Sequence, residues 1–224
     1  MKYSRLSISI WVIAGCVGIL PGAVFSAETA TQIAPPTAKA KFVEILATRQ
    51  TLNKLRDGGF ALYLRHGNTD NSRPDRMPSV DLNDCSTQRE LNELGRQVSR
   101  DVGQALRKAG IPLSKIHISP LCRVKHTAQE AFPGQKYVID GGLMYTANLT
   151  RQQKQPILAR TRALLAAPVT VGKNRLIIAH APNLMDLIGY FPKEATLVIF
   201  HPQGGDGFKY VASIPPTLWP ELLR

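Results

Sequence analysis

No apolar run in this sequence reaches the roughly 20 residues a helix needs to span a bilayer; the longest, Leu6 to Leu20, has fifteen. Acidic residues are scarce, 16 against 28 lysines and arginines, and the formal net charge of +12 favours anionic partners. Yet the basic residues form no run and no aromatic-interleaved patch, so nucleic acid is not the expected partner. Histidines number only five. His117, His126 and His201 stand at no metal-ligand spacing, and no metal or other cofactor is expected. There is no internal repeat. Hydrophobic residues at 44% of 224 exclude wholesale disorder and suit one domain with its own core.

The N-terminus has the pattern of a secretory signal peptide over residues 1–27. Lys2 and Arg5 precede the apolar run, Pro21-Gly22 breaks it, and Ala23 to Ala27 offers small residues for cleavage before Glu28. Cleavage would leave a net charge of 12 − 2 = +10. Ile13-Ala14-Gly15-Cys16 resembles a bacterial lipoprotein box, and anchoring at Cys16 is the alternative; the apolar run continues past Cys16, which favours cleavage. The expected compartment is the periplasm, with membrane contact only through a lipid on Cys16. Residues 28–42, rich in Ala, Thr and Pro, are expected to be a flexible tether, and 43–224 a single folded domain. In an exported chain Cys85 and Cys122 have two readings. They are separate buried thiols, or a disulfide closing a 37-residue separation and contributing on the order of 3–4 kcal/mol.

Strands and helices alternate through the domain. A helix is expected over Val43 to Arg56, ended by Asp57-Gly58-Gly59, then a buried strand from Phe60 to Leu64. Thr87 to Glu90 fits a capping box, and Leu91, Leu94, Val98, Val102, Leu106 and Ala109 recur at helical spacing. Ile116 to Ile118 reads as a strand, with Ser119-Pro120 as N-cap and first residue of a helix through Ala131. A strand near Lys136 to Ile139, a helix from Arg151 to Ala167, the strand Arg175 to Ala179 and a helix from Pro182 to Tyr190 follow. Thr196 to Phe200 and Phe208 to Ser213 make a hairpin. The alternation implies a three-layer α/β/α sandwich around a mainly parallel sheet.

Three stations break the apolar pattern. Arg65-His66-Gly67 ends the first strand, His180 ends the strand Arg175 to Ala179, and Arg123 falls in the first turn after Ile116 to Ile118. Ligands in open α/β sheets bind outside the carboxyl ends of strands, so the three belong on one rim. Two guanidiniums, two imidazoles and two helix N-termini there suit a dianion such as phosphate or sulfate. Lys125 and Arg89 either extend this rim or are solvated.

These stations resemble the histidine phosphatase superfamily, in its phosphoglycerate mutase-like branch. Leu64-Arg65-His66-Gly67 is similar to the family's nucleophile motif, and Ser119-Pro120-Leu121-Cys122-Arg123 through Thr127-Ala128 to its S-P-x-x-R-x-x-x-T-A segment. Ile178-Ala179-His180 resembles its second-histidine strand, and Leu91 to Gln97 its L-T-x-x-G-x-x-Q helix. The resemblance implies a phosphoglycerate mutase-like fold and metal-independent phosphoryl transfer. His66 would be the nucleophile, with Arg65, Arg123 and His180, and Asn68 more peripherally, holding the phosphate.

The general acid is where the chain departs from the family. Asn68 stands where many members have an acidic residue, and Ala181 follows the second histidine. Asp140 and Glu194 are the candidates. The implied function is an exported phosphomonoesterase acting on a phosphorylated small molecule or envelope component. An inactive anion-binding module of the same fold is the alternative, with a phosphoglycerate mutase behind it.

Overall fold

The computed structural model describes residues 41–76, 79–205 and 207–224. The expected signal peptide, Cys16 and nearly all of the tether lie outside them. None of the described helices is long and apolar enough to cross a membrane.

Apolar side chains alternate along the central strands, and each face of the sheet buries its own cluster. Strands β1 (Ala61–Arg65), β2 (Leu113–Ile118), β3 (Val138–Ile139), β4 (Asn174–Ala179), β5 (Leu197–Gly204) and β6 (Gly207–Ile214) form one sheet in the order β3-β2-β4-β1-β5-β6. From one face Leu62, Leu64, Ile116, Ile118, Leu176 and Ile178 meet residues of helices α1 (Arg49–Asp57), α2 (Glu93–Lys108), α3 (Cys122–Ala131) and α6 (Trp219–Leu222). From the other, Tyr63, Ile177, Ala179 and Phe200 meet α4 (Arg151–Ala166) and α5 (Ala181–Ile188). This is the expected α/β/α sandwich. The four strands β3, β2, β4 and β1 are parallel; β5 and β6 run antiparallel as a hairpin on the β1 side.

Several local expectations shift. Helix α1 starts at Arg49 under a Thr48 cap, because residues 45–47 instead pair with Ser213 along the edge of β6. Phe42, expected at the end of the tether, stacks on Tyr190 with ring centroids 4.3 Å apart. The N-cap of α2 is Asn92, whose side chain accepts from Gly95 N. Residues Cys85–Thr87 form a separate 3-10 turn, so Thr87 caps nothing in α2. Helix α3 begins at Cys122, not Pro120, with no side-chain cap from Leu121. Its first N–H donates instead to the Gln88 side chain, 2.8 Å away. Cys85 and Cys122 form a disulfide, which ties that turn to the start of α3.

Candidate active site

Strand register places the two key histidines. In the parallel pair β1/β4, Arg65 is opposite Ala179, so His66 and His180 are the next residues off adjacent strand ends. The bond His66 N to Ala179 O, 3.1 Å, continues the ladder one step further. Ile118 is opposite Ile178 in β2/β4, which sets Ser119 beside them. Their rings lie 5.4 Å apart at 64°, and both residues are buried.

Each imidazole is fixed through one nitrogen. His66 Nδ1 is 2.8 Å from the Gly67 carbonyl. A carbonyl only accepts, so Nδ1 carries the proton and Nε2 keeps a free lone pair. His180 Nε2 is 2.8 Å from Ser119 Oγ, while Nδ1 is buried without a partner. The Tyr63 hydroxyl donates to His180 O at 2.8 Å and accepts from His180 N at 3.0 Å, clamping the backbone there. Burial, the Arg123 charge and the Arg65 and Arg89 charges hold both imidazoles well below their ordinary pKa, against the pull of the Gly67 carbonyl on His66. Both are neutral at pH 7.

The guanidiniums surround this pair. Arg123 is fully buried. Its Nη1 donates to Asp75 Oδ1 at 2.9 Å, leaving Nε and Nη2 without a partner, and its Cζ lies 5.3 Å from the Tyr145 ring centroid. Arg65 Nη1 donates to Pro192 O at 2.6 Å and Nη2 pairs with Glu194, leaving Nε free. Arg89 Nε is likewise buried and free. Nine buried side-chain polar atoms lack a partner among the described residues, and five of them belong to Arg65, Arg89, Arg123 and His180. A buried donor left unpaired costs about 1–3 kcal/mol, more when charged. Four guanidinium N–H groups and an imidazole nitrogen in one place suit a ligand rich in acceptors.

Close backbone approach is built in as well. A Cβ on Gly67 would meet Gly95 O at 2.5 Å and Ser99 Oγ at 2.7 Å, so only glycine lets α2 come this near the His66 turn. Gly67 N donates to Thr127 Oγ1 at 3.0 Å, and Thr127 Oγ1 donates to Arg123 O at 2.8 Å.

The structure thus brings Arg65, His66, Arg123 and His180 together. Asn68 lines a neighbouring cleft of about 560 Å³ with Phe191, Lys193 and Glu194, and its carbonyl holds Asn92 N at 3.2 Å. Glu194 reaches the site because β5 runs antiparallel to β1: Ala195 N donates to His66 O. Ala195 has φ 53, a left-handed conformation costing roughly 1–2 kcal/mol for a residue with a Cβ. Asp140 is engaged elsewhere: it accepts from Gly142 N at 2.9 Å and from Arg160 Nε at 2.8 Å, with His117 at 3.8 Å.

Asp75, Tyr145 and Gln88 are at the site without having been singled out from sequence. Asp75 is one of several acids in a polar loop, and Tyr145 sits in a stretch with no periodicity; neither carries a local signal. Ser119 is expected as a helix cap, whereas its hydroxyl faces His180 Nε2.

A family model for the histidine phosphatase superfamily (branch 1) matches residues 62–146, which include Arg65, His66 and Arg123. Over that segment the chain is similar to the histidine phosphatase superfamily. The fold agrees: a protein from Escherichia coli assigned as an alpha-ribazole-5'-P phosphatase superposes with TM-score 0.50 at 14% identity, covering 71% of this chain and 97% of its own. The protein histidine phosphatase SixA, complexed with tungstate, gives TM-score 0.49 at 15% identity over 70% and 97%. A mycobacterial glucosyl-3-phosphoglycerate phosphatase gives 0.46 at 18% identity over 69% and 98%. No curated protein matches this chain in sequence. His180 lies beyond the matched segment, and strand register is what brings it to His66.

Proposed function

We propose that this domain is a metal-independent phosphomonoesterase working through a phosphohistidine on His66. The carrying observation is the set of four unpartnered buried guanidinium donors, with His180 Nδ1 beside them, around an imidazole whose Nε2 lone pair is free. The lone pair attacks phosphorus; the bond from phosphorus to the leaving oxygen breaks, and its electrons stay on that oxygen. Arg123 offers Nε and Nη2 as a two-pronged edge, the geometry that suits two phosphate oxygens. Arg65 Nε adds a donor where charge accumulates, and so does His180 Nδ1 in the tautomer whose Nε2 accepts from Ser119 Oγ. Water then attacks the phosphohistidine, the P–N bond breaks, His66 is restored, and one proton leaves with inorganic phosphate or solvent. The leader sequence supports an exported enzyme acting on a phosphorylated small molecule or envelope component.

The test is turnover of p-nitrophenyl phosphate by the protein in excess EDTA, beside His66→Ala. Activity that survives EDTA and vanishes in the variant supports the reading; EDTA-sensitive turnover, or turnover unaffected by the substitution, overturns it. A second reading, an anion-binding module without turnover, is favoured by one observation: Glu194 and Asp140 both accept from guanidiniums. Tight phosphate binding with no hydrolysis would establish it.

A further inference from the structure

The proposed phosphatase has three guanidiniums at its site, and they are not equivalent. Arg65 pairs with Glu194 and Arg123 with Asp75. The Arg89 side chain has no carboxylate partner among the described residues, although its own backbone is tied into the site: Arg89 N donates to Asp75 Oδ1 at 2.8 Å and Arg89 O accepts from Arg123 Nη1 at 3.5 Å. Arg89 also spans two environments. Its Nε is buried and unpartnered, whereas Nη1 donates at 3.2 Å to Asn71 Oδ1 on the exposed loop after Asn68. The guanidinium therefore runs from the buried donors outward to solvent, the direction in which whatever is attached to the transferred phosphoryl group must extend.

The carboxylates supply the second half of the argument. Asp75, Glu194 and Asp140 each accept a hydrogen bond from a guanidinium. In such a pair the carboxylate serves as the acceptor toward its guanidinium, not as a donor. An alkoxide leaving group, about as basic as hydroxide, needs a proton. A phosphate monoester leaving group, whose second pKa is about 6, does not.

We propose that Arg89 is a specificity-determining residue that receives a second anionic group adjoining the scissile phosphoryl, and that the substrate class is an organic diphosphate cleaved at its terminal phosphoanhydride. This rests on the phosphohistidine reading above. His66 Nε2 bonds to the terminal phosphorus, the P–O bond to the bridging oxygen breaks, and the electron pair stays on that oxygen, now part of an organic monophosphate held by Arg89. Water releases the phosphoryl group from His66 as before. No general acid is required in the first step, which accounts for the engaged state of all three carboxylates.

The experiment compares kcat/KM of the full chain for methyl diphosphate, methyl phosphate, 3-phosphoglycerate and p-nitrophenyl phosphate. The same set is run for Arg89→Gln and Arg89→Lys, with thermal midpoints checking that the variants fold. Methyl diphosphate should exceed methyl phosphate and 3-phosphoglycerate by at least about a hundredfold. Arg89→Gln should lower the ratio of methyl diphosphate to p-nitrophenyl phosphate by about tenfold to a hundredfold, the loss of one charged hydrogen-bonding group, and Arg89→Lys should recover part of it. Methyl diphosphate no better than methyl phosphate, while p-nitrophenyl phosphate is hydrolysed, overturns the diphosphate class and leaves the phosphatase reading intact. An equal loss on every substrate in Arg89→Gln makes Arg89 a grip on the transferred phosphoryl instead. Preference for 3-phosphoglycerate would make the second anion a carboxylate and overturn the class. No turnover of p-nitrophenyl phosphate by the wild type would sink the parent reading itself.

Discussion

Lowering the pH from 7.5 to 5.0 should destabilise this domain through two particular side chains. His66 and His180 are buried beside Arg123, Arg65 and Arg89, and burial followed by the Arg123 charge pushes both imidazoles well below 6.5. In the unfolded chain each takes up a proton below about pH 6.5, while the native state refuses it. The stability they confer is therefore present above pH 6.5 and is lost as the pH falls below it, at about 1.4 kcal/mol per pH unit for each histidine. At pH 5.0 the loss is at most about 2 kcal/mol for each histidine, against almost nothing at pH 7.5. The assay is the urea midpoint at both pH values for the wild type and for His66→Gln/His180→Gln. His117 and His126 are also shifted down by burial, but both are present in either protein, so the difference between the two pH slopes isolates the site. Inorganic phosphate should flatten the wild-type slope, since a bound anion favours the imidazolium forms. Parallel pH curves for the two proteins would refute the reasoning, because the pair would then titrate alike folded and unfolded.

Two further perturbations follow from the same geometry. Cys85→Ala/Cys122→Ala opens a 37-residue link and should cost about 4 kcal/mol in urea unfolding by loop entropy; a loss below about 1 kcal/mol would mean that Gln88 and the turn at residues 85–87 hold the start of α3 unaided. Glu194→Gln removes the anion that aligns Arg65 and should lower kcat/KM for aryl and alkyl phosphates alike, by roughly tenfold. A loss concentrated on alkyl phosphates would instead identify Glu194 as the proton donor.

How much of this was readable beforehand depends on what kind of signal each residue leaves. Arg65, His66 and His180 interrupt apolar strand runs, and an interruption at a strand's end is visible in one dimension. The sandwich follows from the same alternation. Helix α2 was legible because its apolar spacing is regular, yet its start was misplaced: Thr87 and Glu90 imitate a capping box that Asn92 supplies. The direction of β5 left no trace, since a strand reads the same whether it pairs parallel or antiparallel. Glu194 meets Arg65 only because β5 begins at the rim where β1 ends. Asp75, Arg89 and Tyr145 arrive from loops whose shape is set by tertiary contacts, the Cys85–Cys122 link among them. Such contacts join residues far apart in the chain, and no local pattern encodes them.

The central claim is a phosphoryl group carried by His66, and trapping it is the most direct measurement. The protein would be mixed with labelled aryl phosphate during turnover, quenched in alkali, in which phosphohistidine survives, and digested for peptide mass analysis. The account predicts label on the peptide containing His66, stable in alkali, lost on acidification, and absent from His66→Ala. Turnover without label, or label on any other residue, would contradict it.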